Sequence, residues 1–119
     1  MDSLFVKALK VETCIGIYDW ERQVRQRVEI DLEMAAEATT AAAVDRVEAT
    51  IDYQAVCQRL VDYVEAAEVQ LVETLAEGIA HILRTEFGVT WMQITIHKPG
   101  AVRGAEDVGV RITRGRRAD

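Results

Sequence analysis

From Gln26 to Glu37 the chain alternates in kind: Val28, Ile30, Leu32 and Met34 are apolar, and Arg27, Glu29, Asp31 and Glu33 between them are charged. Successive side chains of a strand point to opposite faces, so this spacing predicts a strand with one buried face and one wet face. A second alternating run, Met92, Ile94 and Ile96, reads the same way within a strand over Thr90 to His97. Ser3 to Thr13 and Asp107 to Thr113 complete the set of strand-like segments.

Between the strand pairs the period changes to that of a helix. Tyr53, Val56, Cys57, Leu60, Val61 and Val64 form one apolar stripe, with Asp52 or Thr50 as its N-cap. Val72, Leu75, Ala76, Ile79 and Leu83 form another, which Gly88 would stop. The two stripes are nearly in phase, so one long helix and two shorter ones are both open. Helix length and the β-branched Val69 favour a break between Ala67 and Leu71. The order β-β-α-α-β-β predicts an α+β fold, a four-stranded antiparallel sheet with both helices on one face. Its open edges must be charged, twisted away or covered by a second chain.

At 119 residues the chain is read as a single domain able to bury a core without staples. A net charge of −6 argues against nucleic acid as a partner. Arg114, Arg116 and Arg117 read as a solvated basic tail over about 115–119. The two cysteines, Cys14 and Cys57, form no metal or redox motif and suit a reducing cytoplasm; Cys57 falls in the helical stripe and is expected in the core. No apolar run is long enough for a membrane span.

Lys98 is the candidate for chemistry. It follows Met92, Ile94 and Ile96 on the same face and precedes the only proline, in Lys98-Pro99-Gly100-Ala101. An amine drawn away from water loses part of its preference for the ammonium form and can give and take protons. Position alone also fits a lysine whose stem lies on apolar surface and whose head reaches water. Glu73 falls in the first turn of the second helix, where open backbone N–H groups and the helix dipole favour a carboxylate. Tyr53, at a helix start and in phase with Val56, reads by default as a core aromatic. Glu21, after Trp20, reads as a loop acid. Glu73, Glu77 and His81 recur at i, i+4 and i+8, a spacing that could hold a divalent ion but that ordinarily marks a polar helix face.

Taken in order, Ile15-Gly16-Ile17-Tyr18-Asp19-Trp20-Glu21, Tyr53 at a helix start, Leu71-Val72-Glu73 with Ala76-Glu77, Lys98-Pro99-Gly100-Ala101 and Val108-Gly109-Val110 resemble the bacterial dihydroneopterin aldolases of folate biosynthesis. The resemblance implies the tunnelling fold, in which subunits join their sheets into a barrel as a tetrameric ring or an octamer of two rings. It implies a small-molecule pterin as substrate, a pocket between subunits, and no metal or cofactor. Glu73 would anchor the 2-amino-4-oxo edge of the ring, because a planar carboxylate matches two parallel N–H donors, with Val72 beside it. Tyr53 would enter from the neighbouring subunit, with Thr50, Ile51 and Asp52 lining the ring. Phenols ordinarily titrate near pH 10, so such a hydroxyl stays a donor at neutral pH. Lys98 would act as a general acid/base and not as a Schiff-base nucleophile, with Glu21 orienting it and the substrate side chain.

Two histidines fall short of the three that the zinc site of pterin synthases sharing this fold would need. Dihydroneopterin triphosphate 2′-epimerase is the nearer alternative. Tyr18-Asp19-Trp20-Glu21 and Gly100 after Lys98-Pro99 look more like the aldolase branch, although Arg103 and Arg111 could meet part of a triphosphate's charge. A non-catalytic pterin-binding or assembly module ranks lower, since Glu21, Tyr53, Glu73 and Lys98 are all present.

Overall fold

The computed structural model describes residues 2–117. Along the chain, Asp2–Ile15 forms β1, Gln26–Ala36 β2, Ala38–Val44 α1, Tyr53–Ala66 α2, Glu68–Val69 β3, Val72–Phe87 α3, Trp91–His97 β4 and Gly109–Gly115 β5. The strands make one five-stranded sheet in the order β3-β1-β2-β4-β5. The β1–β2, β2–β4 and β4–β5 pairs are antiparallel, as the wet-faced strand predicts.

Register follows the apolar pattern. Ile30 pairs with Ile96, Leu32 with Ile94 and Met34 with Met92, so the inward faces of β2 and β4 coincide. On β1 the partners of Met34 and Leu32 are Leu4 and Val6, whereas those of Ile30 and Val28 are Leu9 and Val11. The apolar parity of β1 therefore changes by one residue, and a bulge between Val6 and Leu9 absorbs the change. Ala8 takes a left-handed conformation there (φ 58°), and its N–H donates to Asp31 Oδ1 at 2.7 Å.

Helices α2 and α3 cover the apolar face. Val56, Leu60 and Val64 of α2, and Leu75, Ala76, Ile79 and Leu83 of α3, join Val28, Ile30, Leu32, Ile94 and Ile96 in one buried cluster. Asp52 is the N-cap of α2, its Oδ1 accepting from the amides of Gln54 and Ala55. Cys57 is only half-buried at the edge of the stripe, not a full core residue. Gly88 stops α3 in the left-handed conformation. The helices also meet at Gly78, where a Cβ would stand 1.9 Å from the Tyr63 hydroxyl oxygen.

Three features differ from the sequence expectation. The sheet is mixed and five-stranded, because the break between α2 and α3 runs extended beside β1, pairing Cys14 with Glu68 and Ile15 with Val69 in parallel. Arg22 fixes this short strand by donating to the carbonyls of Val69 and Glu68, each at 2.9 Å. A third helix, α1, forms from the alanine-rich stretch; none of its residues is buried, so it carries no apolar stripe. The basic end is exposed at Arg116 and Arg117, as expected, but it is tethered to the fold as far as Arg117. Arg114 pairs with Glu77, the Arg116 amide donates to the Thr90 carbonyl, and the Arg117 guanidinium lies 4.1 Å over the Trp91 ring. The rest of that basic tail, 118–119, lies outside the described residues. Among the described residues, no helix is long and apolar enough to cross a membrane.

Candidate active site

Lys98 sits where β4 leaves the sheet, next in line on the face that buries Met92, Ile94 and Ile96. Its amide donates to the Val108 carbonyl at 2.7 Å, closing the base of the loop that returns as β5. Gly100, with φ 72°, gives the loop its sharp turn. The Lys98 side chain is 14% exposed, and Nζ lies 2.6 Å from Glu21 Oε2. The amine is thus withdrawn from water, as its parity predicts, and is held in an ion pair.

Glu21 is buried, not a solvated loop acid. It lies in the 3₁₀ turn Asp19–Arg22. Oε2 accepts from Lys98 and from Gln26 Nε2 at 3.1 Å, and Oε1 accepts from the Tyr18 amide at 3.3 Å. A buried carboxylate is costly unless its lone pairs are matched, and here three donors match them. The Lys98 hydrogen bond is the largest influence and holds the Glu21 carboxyl below the usual glutamate range, against the opposing effect of burial. Room for the carboxyl comes from Gly16, where a Cβ would fall 2.2 Å from Glu21 Cδ.

The pair opens on a cleft of about 310 Å³ whose walls include Gly16, Gln70, Leu71, Val72, Glu73 and Val108. Val72 and Glu73 begin α3, and the first amides to bond back, those of Thr74 and Leu75, both reach the Leu71 carbonyl. The Val72 and Glu73 amides therefore have no intrahelical acceptor, and no side chain caps that end. Among the described residues nothing hydrogen-bonds or ion-pairs with the Glu73 carboxylate. An unmatched carboxylate beside two open amides suits a flat ligand edge that carries both donors and acceptors. Ile17, Tyr18, Trp20, Leu71 and Val102, all large and exposed, also line this cleft.

Tyr53 is not in this cleft, nor in the core: it is 56% exposed at the start of α2. With Thr50, Ile51 and Asp52 it lines a second groove of about 700 Å³, which shares no lining residue with the first. The chain by itself thus brings Glu21, Val72, Glu73 and Lys98 together and keeps Thr50, Ile51, Asp52 and Tyr53 apart from them. The Glu73, Glu77 and His81 series does not converge, since Glu77 turns to Arg114; among the described residues no cluster of three His, Cys, Asp or Glu side chains is arranged to hold a metal. Gln26 and Gly16 are the functional neighbours that the sequence reading passed over. The glycine in Ile15-Gly16-Ile17 was the available signal for the second; Gln26, a strand-end polar residue, carried none.

Fold and cleft together define a class: a small α+β protein with a buried acid–amine pair beside an open helix start. Comparison with known proteins narrows it. The family described as FolB, dihydroneopterin aldolase, matches residues 4–113. The dihydroneopterin aldolase of Escherichia coli K12 is 42% identical over 115 residues, covering 97% of this chain and 94% of that protein. The crystal structure of the E. coli dihydroneopterin aldolase in complex with neopterin superposes with a TM-score of 0.93 at 42% identity, over 97% of this chain and 100% of that one. A dihydroneopterin triphosphate 2′-epimerase from Pseudomonas aeruginosa is more distant, at 28% identity over 94% of this chain and 91% of its own. The chain belongs to the dihydroneopterin aldolase family.

Proposed function

We propose that the protein binds 7,8-dihydroneopterin and cleaves it to 6-hydroxymethyl-7,8-dihydropterin and glycolaldehyde. The observation that carries this reading is the Glu21–Lys98 ion pair, buried in the same cleft as the unmatched Glu73 carboxylate. Glu73 and the open amides of α3 take the amino–oxo edge of the ring, which presents the side chain at C6 to the lysine. The bond between C1′ and C2′ breaks as the 2′-hydroxyl gives up its proton and becomes the aldehyde of glycolaldehyde. Its electron pair moves into the C6–C1′ bond while N5 of the conjugated imine takes a proton. The resulting enamine is then protonated at C1′ and loses the proton from N5.

The substrate's own imine accepts the electrons, so neither a Schiff base nor a metal is required. Lys98 serves the protons at N5 and at the 2′-hydroxyl as a general acid/base, directly or through water, and Glu21 holds it in place. Tyr53 protonates the enamine carbon. The two separate clefts support an active site shared between protomers, with Thr50, Ile51, Asp52 and Tyr53 of one facing the Lys98 cleft of another, in a tetramer or octamer built by joining sheets into a barrel. Glycolaldehyde recaptured before release would invert C2′, giving epimerisation as a side reaction. The triphosphate epimerase reading is the weaker one, because relatives of that name are the more distant. The whole chain acts as one domain, and its two unpaired thiols fit a reducing cytoplasm.

The test is incubation with unphosphorylated 7,8-dihydroneopterin followed by assay for glycolaldehyde. Wild type releases it. Lys98→Ala loses about 100-fold or more in turnover while pterin affinity changes little. Unimpaired cleavage by that variant, or a borohydride-stable adduct on Lys98, defeats the proposal.

A further inference from the structure

His97 ends β4, one peptide from Lys98, and projects to the opposite face of the sheet, the wet face of Asp31 and Glu29. Its Nε2 lies 2.8 Å from Asp31 Oδ2, and its Nδ1 contacts Asp107 Oδ2. A neutral imidazole has a single N–H and can satisfy one carboxylate only, leaving a lone pair facing the other; the imidazolium donates to both. Asp31 is fixed from its other oxygen by the Ala8 amide at the β1 bulge. Asp107 stands at the far end of the loop that leaves through Lys98, next to Val108, whose carbonyl accepts from the Lys98 amide. Ala101, Val102 and Val108 of that loop line the Lys98 cleft.

We infer that His97, as a cation gripped between Asp31 and Asp107, is a positioning residue: it closes the base of the 98–108 loop and so sets Lys98 against Glu21. The inference rests on the reading of Lys98 as the proton-transfer group. His97 itself touches no part of the cleft. It acts through the backbone it shares with Lys98 and through Asp107, whose neighbour Val108 accepts from the Lys98 amide.

Other charges share this face, among them Lys10 of β1, which stands in register with Glu29. Glu29, opposite His97 on β2, is paired with Arg27 at 3.3 Å. Lys7 of β1 acts on Asp31, and Arg111 of β5 donates to Thr95 at 3.0 Å. The two carboxylates in direct contact, Asp31 first and Asp107 second, push the His97 titration above its ordinary range. A group raised on folding keeps its contribution below its unfolded value of about 6.5 and loses it as pH rises through the folded value. The clamp is therefore closed in mild acid and opens on the alkaline side.

The experiment pairs NMR titration of the His97 ring with kcat and pterin Kd across the same pH range, in wild type, His97→Gln and Asp107→Asn, each checked for native circular dichroism. Wild-type kcat should fall as pH rises through the His97 midpoint. His97→Gln should lower kcat about 10- to 100-fold, hold Kd within about twofold, and lose that alkaline limb. Asp107→Asn, which keeps the Asp31 contact, should move the ring midpoint and the limb to lower pH together. A limb unchanged in both variants, or a His97 midpoint with no effect on kcat, overturns the inference, since a merely structural role would alter melting and leave the limb in place. Should wild type fail to cleave dihydroneopterin, it is the Lys98 reading that falls. The NMR arm then decides the clamp: Lys98 amide and Nζ resonances that follow the His97 titration support it, and resonances that stay fixed overturn it.

Discussion

Glu21 is the residue on which the site geometry turns, because three donors converge on it from different parts of the chain. Its backbone neighbour in space is Gly16, at φ 134°, a conformation that L side chains rarely adopt. A methyl there would overlap the Glu21 carboxyl, which is boxed in by its own hydrogen bonds and has nowhere to move. Gly16→Ala should therefore cut turnover about 100-fold, the order expected for a misplacement of about 1 Å, and kinetics on the folded variant would show it. The Glu21 carboxyl is held low by Lys98, so its contribution to stability is present above the ordinary glutamate value and is lost only as pH falls through the lower, folded one. Melting temperatures of wild type and Glu21→Gln should accordingly converge at the acid end and separate toward neutrality. Lys98 was legible because parity along one strand decides its face. The burial of Glu21 was not, since it depends on a lysine 77 residues away in sequence. The partners of His97 are hidden in the same way, in a diagonal contact across the β2–β4 ladder to Asp31, 66 residues distant.

Elements with a strong apolar period declared themselves. The centres of the two stripes are buried, Val56, Leu60 and Val64 in α2 and Leu75, Ala76, Ile79 and Leu83 in α3, whereas Tyr53 is exposed and Cys57, Val61 and Val72 are half-buried. The expected break between them is where the chain turns extended at Ala67. What escaped were the pieces without a period. Helix α1 has only alanines, threonines and Val44 and buries nothing, and β3 is two residues held by a parallel partner and an arginine. The β1 bulge was readable in principle, as the slip in apolar parity between Val6 and Leu9. Of the two N-cap candidates, Asp52 takes the role and also lines the Tyr53 groove. Asp52→Ala should cost about 1 kcal/mol in urea unfolding, typical of a lost N-cap. On α3, Gly78→Ala would press on the Tyr63 hydroxyl where α2 and α3 touch, and the half-buried Tyr63 side chain would have to shift.

At the scale of the molecule, the α+β class and the one-sided cover followed from a strand with one wet face, and both hold. The assembly is a different kind of quantity: apolar period says which residues leave water, not which of them wait for another chain. Trp20, Tyr18, Ile17 and Tyr53 are each more than half exposed around the two clefts, which supports the proposal that a second chain covers them. If the proposed active site is shared, Lys98→Ala and Tyr53→Phe proteins, each nearly inactive alone, should recover activity when unfolded and refolded together. Random pairing restores about a quarter of the sites, and a mixture that stays dead counts against sharing. The distance between those grooves has a further effect on how the protein behaves in a tube. On the shared-site proposal each protomer would own half of two workshops and the whole of none, so output per milligram should sink as the solution is diluted and climb back when it is concentrated.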